Sequence, residues 1–268
     1  MAYMMNSFPF LPAWRPEVFA FAALLAISYQ LISGRLGREW AGEQYTLPSR
    51  REHLAFIGLL TVFVFAVGSP LDLLAQTSSF PAYILQMLLM TMVMPWLLLL
   101  SLPRWIIQFA LSLSRVQKIL SSLTKPWKAS LLYNLTATLS LSPFFLDLNL
   151  SSNWIHLLTS AFLMIAALLF WWPLVGTRKI GLHRDGFYEF RYIAYSIIFM
   201  LPIILALLLT KTAWYKVYLT RHLTDLSLLQ MQQEGAKLML LGMLFVFGTL
   251  GLRVLRHLDH SFWYNTPS

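Results

Sequence analysis

Long apolar runs alternate with short polar stretches along this chain. Seven runs stand out, at 16–32, 54–68, 82–100, 129–146, 154–173, 192–209 and 236–252. Each holds about 15 to 20 residues, the length at which an α-helix crosses a hydrocarbon core of about 30 Å. Barrel strands would read as segments of about ten residues with alternating polarity, and the runs do not have that pattern. The reading is an all-α polytopic membrane protein with seven transmembrane helices. No repeat of about 20 to 50 residues divides the chain, and no Pro/Gly-rich linker does, so 1–268 reads as one transmembrane domain. Prolines mark run ends (Pro16, Pro70, Pro103, Pro126, Pro143, Pro173), where a missing N–H is tolerated. Pro95 and Pro202 fall inside runs and are expected to kink them. Trp14, Trp127, Trp154, Trp171, Trp172 and Trp263 gather near run ends, as an interfacial belt requires.

Composition agrees: 58% of residues are hydrophobic and 12% charged, too few charges for a water-soluble surface. The net charge of +9 reads as cytoplasmic loops rather than nucleic-acid binding. Arg35, Arg38, Arg50 and Arg51 separate runs one and two; Arg104, Arg115, Lys118, Lys125 and Lys128 separate three and four. Arg178, Lys179, Arg184 and Arg191 separate five and six, and Arg253 and Arg256 follow run seven. The loops with Asp72 and Asp147 have no Lys or Arg, while the sixth is mixed, with Lys211, Lys216 and Arg221. This bias predicts an N-terminus outside and a C-terminus in the cytoplasm. Residues 1–14 carry no Lys or Arg, so the first run is expected to stay as a span rather than act as a cleaved signal.

There is no cysteine, which removes disulfides and thiolate metal sites together. Phosphate loops, dinucleotide fingerprints, HExxH and nucleophile elbows are absent as well. Acidic residues are nearly missing from the runs, which argues against an ion-coupled transporter. In the predicted orientation several polar or soft side chains share the outer half. His156 and Ser160 open run five, Ser142 lies near the end of run four, and Met231, Gln232, Gln233 and Glu234 precede run seven. Tyr83, Met87, Met90 and Met94 share one face of run three, while Met92 points elsewhere. A methionine stripe holds copper(I) or packs adaptably between helices. His156 is either a metal ligand or a headgroup-level histidine beside Trp154. His222 sits in an outer loop, and His53, His183, His257 and His260 on the cytoplasmic side. Glu234 reads as a first-turn carboxylate favoured by the helix dipole.

PAWRPEV opens run one, VGSPLDLLA follows run two, YILQM opens run three and SLSPFF ends run four. NWIHLLTSAF and LLFWWPLVG fill run five, and MQQEG precedes run seven. In this order the segments resemble the CtaG family of bacterial seven-span membrane proteins over nearly the whole chain. The resemblance implies a role in assembling haem-copper cytochrome c oxidases in the bacterial plasma membrane, at the copper insertion step, with an oxidase subunit as partner and no catalysis. Where the family has histidines four apart in span three, this chain has Tyr83 and Met87, with Gln86 kept. Leu141 and Ser142 stand in place of Trp-His; Thr159 and Ser160 in place of Glu-His after a retained His156; and Met231 in place of Asp before a retained Gln232 and Gly235. The resemblance thus implies copper at His156, Met87 and Met231, with Tyr83, Gln86, Ser142, Ser160 and Gln232 around it. The alternative is an accessory subunit of a respiratory oxidase that binds no metal.

Overall fold

The computed structural model describes residues 14–181, 186–215, 218 and 227–264, without side chains for Asn153 and for 253–264. His183, Arg184, Lys216, Arg221 and His222 lie outside the described residues, as do the side chains of Arg253, Arg256, His257, His260 and Trp263.

Among the described residues there are helices and no strands. Helix α1 (Pro16–Leu31) continues through a π-helical turn at Ile32–Leu36, and α2 is Arg50–Gly68. The short α3 (Pro70–Thr77) leads into α4 (Phe80–Ser101), which contains a π-helical turn at Leu89–Val93. Two short helices, α5 (Arg104–Ser112) and α6 (Ser114–Leu123), precede α7 (Pro126–Ser140) and α8 (Pro143–Ser151). Helix α9 (Asn153–Trp171) passes through a π-helical turn at Trp172–Gly176 and ends at Lys179. Helices α10 (Gly186–Leu209) and α11 (Leu228–Tyr264) complete the set.

Among the described residues, six of these are long and apolar enough to cross a membrane, and α7 and α8 together, bent at their junction, count as a seventh if the pair is one broken span. The protein is a multi-pass membrane protein. The fourth run, expected as one helix over 129–146, is instead broken by 69°. Pro143 supplies no N–H and pushes the residue before it out of the helical region, so Ser142 is extended at ψ 142°. Pro95 is handled differently, with the π turn lying just before it. Pro202 sits inside α10, which runs unbroken from Gly186 to Leu209.

Lipid tails give little hydrophobic drive for helices to associate, so close packing and polar ties must hold the bundle. The core draws on α4, α7, α9, α10 and α11, with Tyr133, Phe170, Tyr192, Met200, Ile204, Met239 and Phe247 buried together. Helix α11 lies close on α4 because a Cβ at Gly235 would stand 2.5 Å from the Phe80 ring, and one at Gly242 2.9 Å from Leu88. Helices α1 and α2 contribute nothing to that cluster. They pair with each other and lean on the second half of α4, where Tyr29 stacks on Phe56 at 3.9 Å and donates to the Ser101 carbonyl at 2.9 Å.

The helices alternate in direction, which gives the bundle two ends. The Lys179 end gathers the close of α4 and α9 and the start of α2 and α10. Lys179 Nζ donates to Glu52 at 2.8 Å, to the Leu100 carbonyl at 2.7 Å and to the Leu102 carbonyl. Arg178 pairs with the buried Glu189. Glu52 also closes a capping box with Ser49 at the start of α2. The Asp72 end gathers the start of α1, α4, α9 and α11 with α3 and α8.

Candidate functional site

The Asp72 end is built from a short capped helix. Ser69 is extended and its hydroxyl accepts from Leu71 N at 3.1 Å, while Pro70 takes the first helical position. That start turns Asp72 inward, where it is 4% exposed. A buried carboxylate must be paired. Its Oδ2 accepts from Arg15 Nη1 at 3.0 Å, and its Oδ1 from Gln76 Nε2 at 2.9 Å and Gln86 Nε2 at 2.7 Å. Gln86 also reaches the Ala66 carbonyl at 2.8 Å, and Arg15 N donates to the Gly68 carbonyl at 3.0 Å. One carboxylate thereby joins the entries of α1, α3 and α4 to the end of α2. Arg15 also donates to Glu17 at 2.7 Å, and this bond raises its pKa above the ordinary value despite its partial burial.

Beside this frame is a cavity of about 610 Å³ lined by Arg15, Glu17, Phe21, Phe63, Asp72, Gln76, Leu157 and others. Gln86, Met90, His156 and Ser160 line it and also a narrow cleft of about 20 Å³, room for about one water. The cleft is closed by Tyr83, Met87, Thr91, Asn149, Thr159 and Leu163. Two of its buried polar atoms have no hydrogen-bond partner among the described residues, His156 Nδ1 and Asn149 Oδ1. The amide nitrogen of Asn149 donates to Tyr83 Oη at 3.4 Å.

The π turn of α4 shapes the cleft floor. Pro95 leaves the Thr91 carbonyl without its α-helical donor, and Trp171 Nε1 donates to it at 3.1 Å. Thr91 Oγ1 donates to the Met87 carbonyl at 2.7 Å and accepts from Tyr133 at 3.0 Å. The extra residue in the turn also rotates the later part of the helix about its axis. Tyr83, Met87 and Met90 line the cleft, whereas Met94, expected on the same face, does not. Met92 is buried elsewhere.

Of the residues expected around a metal, the cleft brings together His156, Met87, Tyr83, Gln86 and Ser160. The others lie apart. Met231 is buried in the first turn of α11 and lines neither cavity. Gln232 clasps the end of α10, accepting from Trp214 N at 2.8 Å and donating to the Leu207 carbonyl at 3.3 Å. Ser142 bonds the Leu139 carbonyl at 2.8 Å beside the α7–α8 break. Glu234 pairs with Lys237 at 2.7 Å. Behind the cleft, Tyr215 and Tyr218 donate to the carbonyls of Leu141 and Ala75 at 2.6 and 2.9 Å. Burial pushes both phenols well above the usual range, so they remain donors. Sequence reasoning missed Arg15, Gln76, Asn149 and Thr91 as neighbours of the site. The Ser-Pro-x-Asp start of α3 was a legible signal for Asp72.

Chemically, Asp72 is saturated by three donors and has little left for an ion. Among the described residues no group of three or more His, Asp or Glu clusters for a harder metal. The groups lining the cleft include one unpartnered imidazole nitrogen, one unpartnered amide oxygen, two thioethers and several hydroxyls. That set suits a soft monovalent cation better than zinc or magnesium.

A family model described as the cytochrome c oxidase caa3 assembly factor, CtaG, matches residues 27–259. The chain belongs to this family. No curated protein and no solved structure matches it. The matched region takes in the whole cleft and leaves Arg15, which holds Asp72, outside it. As a CtaG family member, the chain is tied to oxidase assembly by its family's description.

Proposed function

We propose that this protein serves the assembly of a haem-copper cytochrome c oxidase in the bacterial plasma membrane by holding copper(I) as cargo between His156, Met87 and Met90. The observation that carries the reading is His156 Nδ1, buried without a partner beside a cleft that it shares with two thioethers. Neutral imidazole and thioether are soft or borderline donors, and neither adds charge that a monovalent ion would have to balance. The basic loops favour the Lys179 end as cytoplasmic, which puts the cleft at the outer face, where a nascent oxidase subunit would take the ion. The Arg15–Asp72–Gln86 frame keeps α1, α3 and α4 in place around the cleft. An ion is handed on and no bond in a substrate is made or broken, so no catalytic residue is assigned.

The test is anaerobic titration of the purified protein with copper(I) against a chromophoric chelator. The expected result is one tightly held ion per chain. In His156→Ala and in Met87→Leu/Met90→Leu the affinity is expected to fall about 10- to 100-fold. Wild type that holds no more copper than the triple variant would sink the proposal. It would leave the second reading, an accessory protein packed against the oxidase.

A further inference from the structure

The segment between α4 and α7 has the form of a surface anchor. Residues 102–128 carry Arg104, Arg115, Lys118, Lys125 and Lys128, and no acidic residue lies between Asp72 and Asp147. Helix α6 buries none of its residues. Val116, Ile119, Leu120 and Leu123 recur at helical spacing on it, of which Ile119 is exposed and the other three are half-buried, while Arg115, Lys118 and Ser122 are exposed. Phe109, Leu113 and Ile119 are each at least half exposed, and Trp127 is 47% exposed with Lys128 5.6 Å from its ring. The segment is held at its edges: Trp105 and Ile107 are buried, Tyr45 packs 6.1 Å from the Trp105 ring, and Tyr188 donates to the Thr124 carbonyl at 3.4 Å. Phe109, Leu113, Ile119 and Trp127 are therefore presented outward by a fixed mount.

We infer that α5 and α6 dock on the bilayer surface at the Lys179 end and bind anionic phospholipid headgroups. Three observations select lipid as the occupant. The segment joins two membrane-crossing helices directly, from Ser101 to Pro126, so it lies at headgroup level. Its charge is of one sign, complementary to phosphatidylglycerol or cardiolipin. Its exposed apolar side chains, Phe109, Leu113, Ile119 and Trp127, can enter the acyl boundary while the basic ones stay at the phosphates. This anchor is independent of copper, since no residue of it lines the cleft.

The chain has no cysteine, so Ile119→Cys gives one labelling position. The full protein, carrying an environment-sensitive dye there, is placed in nanodiscs of phosphatidylcholine alone or with one-third phosphatidylglycerol. The expected result is a blue shift and quenching by headgroup-level nitroxide lipids, stronger with phosphatidylglycerol. Adding Arg115→Gln and Lys118→Gln is expected to weaken phosphatidylglycerol retention in detergent about tenfold, read by native mass spectrometry. Arg115→Lys and Lys118→Arg should restore it, which separates charge from misfolding. Equal quenching in the two compositions, or retention unchanged by the Gln variants, overturns the inference. So does a dye that stays water-exposed in both nanodiscs and is shielded only when an oxidase subunit is added, because the surface would then dock protein.

Discussion

The two ends of the bundle use the same materials to opposite effect. At the Lys179 end one ammonium group meets a carboxylate and two carbonyls, and Arg178 meets Glu189. Those donors are spent on the fold, although Trp105 Nε1 at this end is also buried without a partner, and neither the cavity nor the cleft lies there. At the Asp72 end one carboxylate meets three donors, and beside it two buried polar atoms at the cleft stay unpartnered. The difference lies in which partner is in surplus. A cation seated among carbonyls uses up backbone acceptors and seals the helix ends. A carboxylate seated among side-chain amides leaves neighbouring donors and acceptors free to face a cavity.

Substitutions can break this comparison. Asp72→Ala should have the largest effect, about 2–4 kcal/mol lost in unfolding assays in detergent, because Arg15, Gln76 and buried Gln86 lose a shared acceptor. It should also lower copper uptake, because the frame holds α1, α3 and α4 around the cleft. Lys179→Ala should cost about 2–3 kcal/mol, since two carbonyls and Glu52 lose one donor, with copper uptake unchanged. If both variants cut copper uptake equally, the division between a sealed and an open end fails. Thr91→Val removes the acceptor of Tyr133 and should cost about 1–2 kcal/mol, with a broadened cleft seen as faster chelator access. Glu17→Gln should leave the melting temperature where it is, because this exposed carboxylate only shares Arg15 with Asp72. A clear shift there would mean that Glu17, not Asp72, holds Arg15.

The spans were legible because a bilayer demands long apolar runs, and the loops because basic residues cluster between alternate runs. Helices α3, α5 and α6 and the second half of α8 read as loops in the sequence. At eight to ten residues each, they fall below the length that hydropathy detects. In the site, the shared face of Tyr83, Met87 and Met90 followed from spacing, and the π turn that removes Met94 did not. That turn depends on Pro95 and on Trp171, a donor 80 positions from Thr91. Gln232 looked like a neighbour of the metal site because its partners, Trp214 N and the Leu207 carbonyl, are backbone groups that no sequence pattern displays. Asn149 was overlooked because α8 exists only through the break at Pro143.

The distance in sequence between Arg15 and Asp72 sets an order of events during synthesis. Arg15 leaves the ribosome 57 residues ahead of its buried counter-ion. Until α3 has been made, Glu17 is the carboxylate within its reach, two positions along. A first helix already in the bilayer thus carries its own provisional counter-ion, and its final seat forms only when the second hairpin arrives to claim the guanidinium.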